Sequence, residues 1–253
     1  MTNKHILVVG GSRGIGKAFV KYLIKEKQYN ISVFGRSQKD SYKIDFVKGY
    51  QVDVTDMKTT SEYITDAVGN FGKINSIIFM QRHRGNDNSL DDDYNVSVKA
   101  TKNIIDYLLE KKYFHSIAKP SNVIIVSSIS TKYIAPEQPL GYHIAKSGIN
   151  QLARFYALKL GQLNIKVNVV SPCVVLKNEA KKNYKDKKIL VERYSKYIPL
   201  GRMGTPDDIS EVIMFLIGDR SNYITGQNIV VDGGLTLRSH ESLIRDITDE
   251  THE

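Results

Sequence analysis

Short apolar runs rich in β-branched residues alternate with amphipathic stretches along most of this chain. The runs at 5–9, 31–34, 49–52, 75–80, 122–127, 165–170 and 228–231 read as strands. Between them, apolar positions recur at helical spacing at about 14–27, 56–69, 94–112, 142–161 and 206–217. In the first of these helices Ile15, Ala18, Phe19, Tyr22 and Leu23 share a face, and Lys17, Lys21 and Lys25 stand opposite. In the last, Thr205 is a capping residue and Pro206 suits the first helical position. Asp207 and Asp208 complement the dipole, and Gly218 ends the helix. This alternation predicts a single α/β domain over 1–237: a doubly wound parallel sheet of Rossmann type with helices on both faces. Residues 238–253 carry no strong pattern. They read as a partly ordered tail or as an arm docking on a neighbouring subunit.

Composition narrows the class. With 253 residues, 41% of them hydrophobic, the chain can bury one substantial core. No apolar run approaches the ~20 residues that cross a bilayer, so no membrane association is expected. Met1-Thr2-Asn3-Lys4-His5 runs straight into the first strand, and no secretory signal is expected. A single cysteine, Cys173, rules out an internal disulfide framework and suits a reducing, cytoplasmic setting. The net charge of +9 does not by itself imply nucleic-acid binding. Residues 177–196 hold eight Lys/Arg against three Asp/Glu, so half the excess sits in one segment.

Gly10-Gly11-Ser12-Arg13-Gly14-Ile15-Gly16 lies directly between the first strand and the first helix. A glycine turn in that position lets a diphosphate approach bare backbone, and the helix N-terminus offers free N–H groups. The second strand ends in Gly35-Arg36-Ser37, without the carboxylate that would bind a ribose 2′-hydroxyl. Arg36 and Arg13 instead suit the 2′-phosphate of NADP. Asp53, followed by Val54 at the end of the third strand, can accept from an adenine amino group. Its plainer role is that of a helix N-terminal acid, which Asp56 fits better.

Tyr142 and Lys146 are four apart, on one face of a helix whose Ala145, Ile149, Leu152, Ala153 and Tyr156 are apolar. A buried lysine beside a phenol favours the phenolate, and such a tyrosine can exchange a proton with a carbinol or carbonyl oxygen. Just upstream, Ser127-Ser128 end the strand Val123-Ile124-Ile125-Val126, at the ligand edge of a parallel sheet. A serine hydroxyl there can hold the same oxygen.

These features together resemble the short-chain dehydrogenase/reductase family, closest to its 3-oxoacyl-(acyl-carrier-protein) reductase-like branch. So do Ile165-Lys166-Val167-Asn168-Val169-Val170-Ser171-Pro172, Gly201-Arg202-Met203-Gly204-Thr205-Pro206, Tyr223-Ile224-Thr225-Gly226-Gln227 and Val231-Asp232-Gly233-Gly234. The resemblance runs from residue 5 to about 235. It implies that Tyr142 is the general acid in carbonyl reduction, that Lys146 holds the nicotinamide ribose, and that Ser128 orients the carbonyl. It implies that Gly10, Gly11, Ser12, Arg13, Gly14 and Ile15 wrap the cofactor phosphates. Asp53 and Val54 would bound the adenine, with Met80, Pro172 and Val175 also lining the cofactor. A homodimer or homotetramer is the implied assembly, and residues 177–198 the implied substrate lid.

The chain departs from the family pattern at defined places. Phe79-Met80-Gln81-Arg82 stands where the family has Asn-Asn-Ala-Gly. Ser97 replaces the Asn that anchors a water in the family's proton relay, and is carried here as the fourth member of the catalytic group. Pro172-Cys173 replaces Pro-Gly, and Lys177 stands where a Thr often meets the carboxamide. Arg82, His83 and Arg84, with the lid lysines, predict an anionic substrate: a carrier or coenzyme A thioester, a sugar phosphate or a nucleotide sugar. Two readings stay open at this point: an NADP(H)-dependent reductase acting on a small or carrier-bound ketone, and a retained NADP-binding subunit with little turnover. No metal site is expected.

Overall fold

The computed structural model describes residues 3–37, 42, 44–85, 89–115, 117–176 and 188–250, the side chains of 247–250 excepted. Seven strands form one sheet: β1 (Lys4–Val9), β2 (Tyr29–Gly35), β3 (Val47–Gln51), β4 (Ile74–Phe79), β5 (Ser121–Val126), β6 (Ile165–Pro172) and β7 (Asn228–Val231). Their spatial order is β3-β2-β1-β4-β5-β6-β7, and every pairing is parallel. The order reverses between β1 and β4, so a crevice opens above the C-terminal ends of those strands.

Strict alternation along the strands divides the core in two. Leu7, Val9, Phe34, Ile77, Phe79, Val123, Ile125, Val167 and Val169 point to one face. There they meet α2 (Met57–Phe71), α4 (Ala100–Glu110) and α5 (Leu140–Leu160) through Ile64, Ala67, Ile104, Leu108, Ile149 and Ala153. Ile6, Val8, Ile31, Val33, Ile78, Ile124 and Val170 point to the other. That face is covered by α1 (Gly14–Glu26) and by the helix Pro206–Ile217, through Phe19, Val20, Leu23, Ile209, Ile213 and Leu216. Burial on both faces is why the strands read as continuous apolar runs.

Asp56 caps α2, accepting from the N–H groups of Lys58 and Thr59. Thr205 and Asp208 form a reciprocal capping box at the start of the Pro206–Ile217 helix. Arg202 then grips Asp208 through two bonds of 2.7 Å.

Three elements differ from the sequence expectation. The helix expected over 94–112 begins earlier, as α3 (Leu90–Tyr94), and passes through a π-helical turn at Asn95–Lys99 before α4. The cause is local. Thr101 Oγ1 donates to the Ser97 carbonyl at 2.6 Å, and Gln81 Nε2 donates to the Val96 carbonyl at 3.4 Å. With side chains on those carbonyls the backbone ladder slips by one residue, and Ala100 N–H bonds Asn95 O. Part of the lid segment is a helix, α6 (Lys188–Tyr197), and the Pro206–Ile217 helix is therefore α7. The rest of that segment, 177–187, lies outside the described residues. Residues His240–Glu250 form a further helix, α8, rather than an irregular tail. Its signals are weak in sequence: Ser239 Oγ accepts from Ser242 N–H, and Arg245 pairs with Glu241 and Arg238 with Asp246. No described helix is long and apolar enough to cross a membrane.

His5, on β1, is wholly buried. Its Nδ1 lies 2.8 Å from the Gly72 carbonyl and its Nε2 2.9 Å from Ser32 Oγ. A carbonyl only accepts, so Nδ1 carries the proton and Nε2 accepts from Ser32. Burial pushes the imidazole pKa down to about 4. The folded protein therefore binds this proton less readily than the unfolded chain. The resulting stability is complete above pH ~6.5 and is lost as pH falls toward about 4. Urea unfolding of His5→Leu across this window should show a stability–pH slope shallower by about one proton, roughly 1.4 kcal/mol per pH unit. Parallel slopes in the two proteins would contradict it.

Candidate active site

The crevice at the β1/β4 reversal holds two neighbouring cavities. The larger, of about 420 Å³, is lined by Gly10, Ser12, Arg13, Arg36, Asp53, Val54 and Met80, among others. The smaller, of about 220 Å³, is lined by Ile15, Met80, Ser128, Tyr142, Lys146, Pro172 and Val175, among others. Most of the residues singled out in the sequence thus converge on one continuous cleft.

The glycine turn is built by close approach. A Cβ on Gly10 (φ +84°) would stand 2.5 Å from the backbone nitrogen of Gln81, and one on Gly16 would stand 2.2 Å from Gly10 O. Gly11 lines neither cavity. It packs against β2, where a Cβ would meet Val33 at 2.5 Å. Gly14, at φ +56°, starts α1 and is likewise outside both linings. The N-terminus of α1 has no side-chain cap and no acid in its first turn. Arg13, Ile15 and Gly16 at this end line the smaller cavity, where the helix dipole favours an anion. In the larger cavity Arg13 Nε donates to Ser37 Oγ at 3.1 Å, and Ser37 Oγ donates to Ser12 Oγ at 3.2 Å. Arg36 lines the same cavity. Asp53 lines this cavity while its Oδ1 accepts from Thr55 N–H and Oγ1. A glycine cradle, a helix N-terminus and a cationic lining fit a dinucleotide phosphate chain.

In the smaller cavity the end of β5 faces the first turns of α5. Ser127 Oγ donates to the Lys146 carbonyl at 3.2 Å and ties strand to helix. Ser128 is left facing the cavity. Its Oγ donates to Ser130 Oγ and accepts from Ser130 N–H. Lys146 is buried, and its Nζ donates to the Val126 carbonyl at 2.9 Å. Its Nζ is 5.7 Å from the centroid of the Tyr142 ring. Arg82 approaches the same ring, with Cζ 5.9 Å from the centroid. Burial, then the Arg82 cation, push the Lys146 pKa down to about 8 against the opposing pull of Asp93. Burial and the nearby Asp232 carboxylate raise the Cys173 thiol to about 11, which makes it a filler beside the cleft rather than a nucleophile.

Ser97 is not in this cavity. It is 1% exposed, within the π turn, and lines neither cavity. Its lining neighbour is Val96. Lys177 and the lid lysines Lys181, Lys182 and Lys185 lie outside the described residues. Among the described residues no cluster of metal-ligating side chains is present.

One residue was missed in the sequence. Asp93 is 3% exposed, one turn before Ser97 on the same helical face. No hydrogen bond to its carboxylate is found among the described residues. A Cβ on Gly141 would meet Asp93 Oδ2 at 2.8 Å, so glycine at 141 is what lets this carboxylate sit at the start of α5. His83, Lys146 and Arg82 supply positive charge around it. The signal available in sequence was the Asp91-Asp92-Asp93 run, whose third member shares the apolar face of Ser97, Ala100 and Ile104.

A model of the family described as "Enoyl-(Acyl carrier protein) reductase" matches residues 10–236. The chain belongs to the short-chain dehydrogenase/reductase family. Members of this family are oxidoreductases that use a nicotinamide cofactor. A curated relative, the "3-oxoacyl-[acyl-carrier-protein] reductase FabG" of Chlamydia pneumoniae, is 31% identical over 248 residues, covering 93% of this chain and 98% of its own. Among solved structures, "ElxO with NADP Bound" aligns with a TM-score of 0.79 at 23% identity, covering 93% of this chain and 100% of that one. "4-hydroxyisoleucine dehydrogenase complexed with NADH" aligns with a TM-score of 0.76 at 23% identity, covering 94% and 100%. These two establish the fold.

Burial raises the Asp93 pKa above its ordinary value despite the surrounding cations. A carboxyl whose folded pKa is raised lends stability below its unfolded pKa, near 4, and loses it as pH rises through the folded value. At neutral pH Asp93 is therefore a cost to the fold. Asp93→Asn should melt at a higher temperature than the parent at pH 7, with the gain gone near pH 4. A lower melting temperature for the variant at pH 7 would contradict this reading.

Proposed function

We propose that this short-chain dehydrogenase/reductase interconverts a ketone and a secondary alcohol with NADP(H), on an anionic, phosphate-bearing substrate. The observation that carries the proposal is the meeting of Ser128, Tyr142 and Lys146 in one cavity continuous with the glycine turn. Ser128 Oγ orients the substrate oxygen. The Tyr142 hydroxyl delivers a proton to it in reduction and removes one in oxidation. Lys146 sets a cation beside the Tyr142 ring and is the residue placed for the nicotinamide ribose. The bound cofactor supplies or accepts the hydride. The rest is positioning by the strand ends and α5.

The preference for NADP rests on Ser12, Arg13, Arg36 and Ser37 together in the larger cavity, with no carboxylate in the Gly35-Arg36-Ser37 that ends β2. Guanidinium and hydroxyl donors match a 2′-phosphate. The anionic substrate rests on positive charge at the cleft, from Arg82 to Arg84 and in the 177–196 segment. A carrier-protein or coenzyme A thioester, a sugar phosphate and a nucleotide sugar all present that chemistry.

The test is a panel of ketones with and without a phosphate group, followed by loss of reduced-nicotinamide absorbance. NADPH should outperform NADH, and the phosphate-bearing ketones should be turned over best. Tyr142→Phe should bind NADPH as the parent does and lose at least about a hundredfold in kcat. In the same assay, charge reversal at Lys181, Lys182 and Lys185 should raise KM for a phosphate-bearing ketone. Undiminished turnover by Tyr142→Phe would refute the assigned mechanism. Tight NADPH binding with no oxidation across the panel would favour a nucleotide-binding subunit instead.

The proposal includes assembly as a homodimer or homotetramer. Leu140, Ile144, Phe155 and Leu158 are exposed, the last at 88%, and lie within one stripe of α5. Such a stripe matches the surface a second copy would cover. Light scattering should return a mass of twice or four times 28.6 kDa. Leu158→Glu should shift it toward one chain, and a monomer in the parent protein would refute the assembly.

A further inference from the structure

The two cavities share a boundary, and its composition is specific. The residues that line both are Arg13, Met80, Arg82 and Arg84. Three of the four are arginines. They stand where the adenosine side of the cleft, with Asp53 and Val54, meets the side with Ser128, Tyr142 and Lys146. In a dinucleotide the group at that junction is the bridging diphosphate.

Arg82 has no counterpart in the family pattern, which places Gly at that position. Its segment is nevertheless fixed against the glycine turn, because Gln81 backbone stands in the space a Gly10 Cβ would take, at 2.5 Å. The next residue therefore rises directly over the turn. Arg82 Nε is buried and has no hydrogen-bond partner, an unsatisfied donor in a cleft that already concentrates positive charge. Leaving a guanidinium donor unpaired there costs free energy that a bound anion would recover. On the other side of the junction lies the N-terminus of α1, where Ile15 and Gly16 line the cleft.

On the dinucleotide reading above, we infer that Arg82 and Arg84 clamp the diphosphate of the cofactor against the N-terminus of α1. The clamp supplies cationic donors where the family pattern brings only small and uncharged residues. It is blind to the ribose 2′-position, since both cofactors carry the same diphosphate.

Direct binding tests this without any substrate. NADPH, NADH and adenosine 2′-monophosphate would be titrated by calorimetry against the parent, Arg82→Gln, Arg82→Lys, Arg84→Gln and Arg36→Gln. Arg82→Gln should weaken NADPH and NADH by the same factor, about tenfold, and leave adenosine 2′-monophosphate unchanged. Arg84→Gln should do the same to a smaller extent, being more exposed. Arg82→Lys should recover part of the loss, because it keeps the charge and loses the fork. Arg36→Gln should instead weaken NADPH and adenosine 2′-monophosphate and spare NADH. Melting temperatures close to the parent's would show that the variants fold. Unchanged cofactor affinity in a folded Arg82→Gln would overturn the clamp. So would an equal loss for adenosine 2′-monophosphate, which would mean a general field rather than a diphosphate site. A parent protein that binds neither NADPH nor NADH would sink the dinucleotide reading itself, and the clamp with it.

Discussion

Everything at the cleft depends on the contact between the backbone of Gly10 and the backbone of Gln81. Two neighbouring parallel strands, β1 and β4, end there and their chains diverge to opposite faces of the sheet. Gly10 N–H donates to Phe34 O at 2.8 Å and Met80 N–H donates to Val9 O at 2.8 Å, so the strand ladder continues up to the point of divergence. No side chain fits between the two backbones. Any Cβ at residue 10 would pry the turn from β4, and with it the helix N-terminus from the residues that follow Phe79. The positive φ at Gly10 removes non-glycine residues a second time. One glycine therefore fixes the distance between the phosphate-side wall and the catalytic wall.

On that frame the cleft accumulates charge that the fold does not need. Lys146 is buried and holds only a carbonyl, Arg82 Nε is buried and unpaired, and Asp93 is a buried carboxylate without a hydrogen bond among the described residues. Each is unfavourable alone. Other buried polar side chains are well held: Lys166 Nζ reaches Ser221 and the carbonyls of Leu216 and Gly218, and Asn168 bridges to Ile224 and Gln227. Arg82 and Lys146 line the crevice at the topological reversal of the sheet, where ligands bind in this architecture.

How much of this was legible in the chain follows from which interactions are local. All seven strands and the main covering helices were readable, because two-sided burial writes the inner strands as apolar runs, the helices carry apolar stripes, and the edge strand β7 keeps its β-branched residues although half exposed. The glycine turn, Tyr142, Lys146 and Ser128 were readable because each is tied to a strand end or one helical face. Ser97 was carried into the catalytic group by its position in the family pattern, and the structure leaves it 1% exposed and lining neither cavity. Its carbonyl is held by Thr101, which Gln81 reaches from a distant part of the chain. The π turn was invisible for the same reason. Asp93 was hidden because a run of three acids before a helix reads as a solvated first turn. The helical face it shares with Ser97, Ala100 and Ile104 points it inward, and the missing side chain at Gly141, some fifty residues on, makes the room. Helix α8 escaped because its apolar positions are few and its cap and ion pairs are individually weak.

The departures at 81 and 97 are better understood as one event than as two losses. The family pattern has a small residue at the first and an Asn at the second. This chain has Gln81 and Ser97, so side-chain bulk has moved from one wall to the other. The Gln81 amide reaches across the gap, donating to Thr101 Oγ1 at 2.9 Å and toward the Val96 carbonyl. Thr101 in turn satisfies the Ser97 carbonyl. The carbonyls that the π turn frees are thus held by side chains, and the helix keeps its irregular turn although its polar residue has shrunk. The same 79–82 segment that supplies Gln81 to the helix also delivers Arg82 to the junction of the two cavities. Structural compensation and the cationic wall are therefore products of a single local rewriting of the loop after β4.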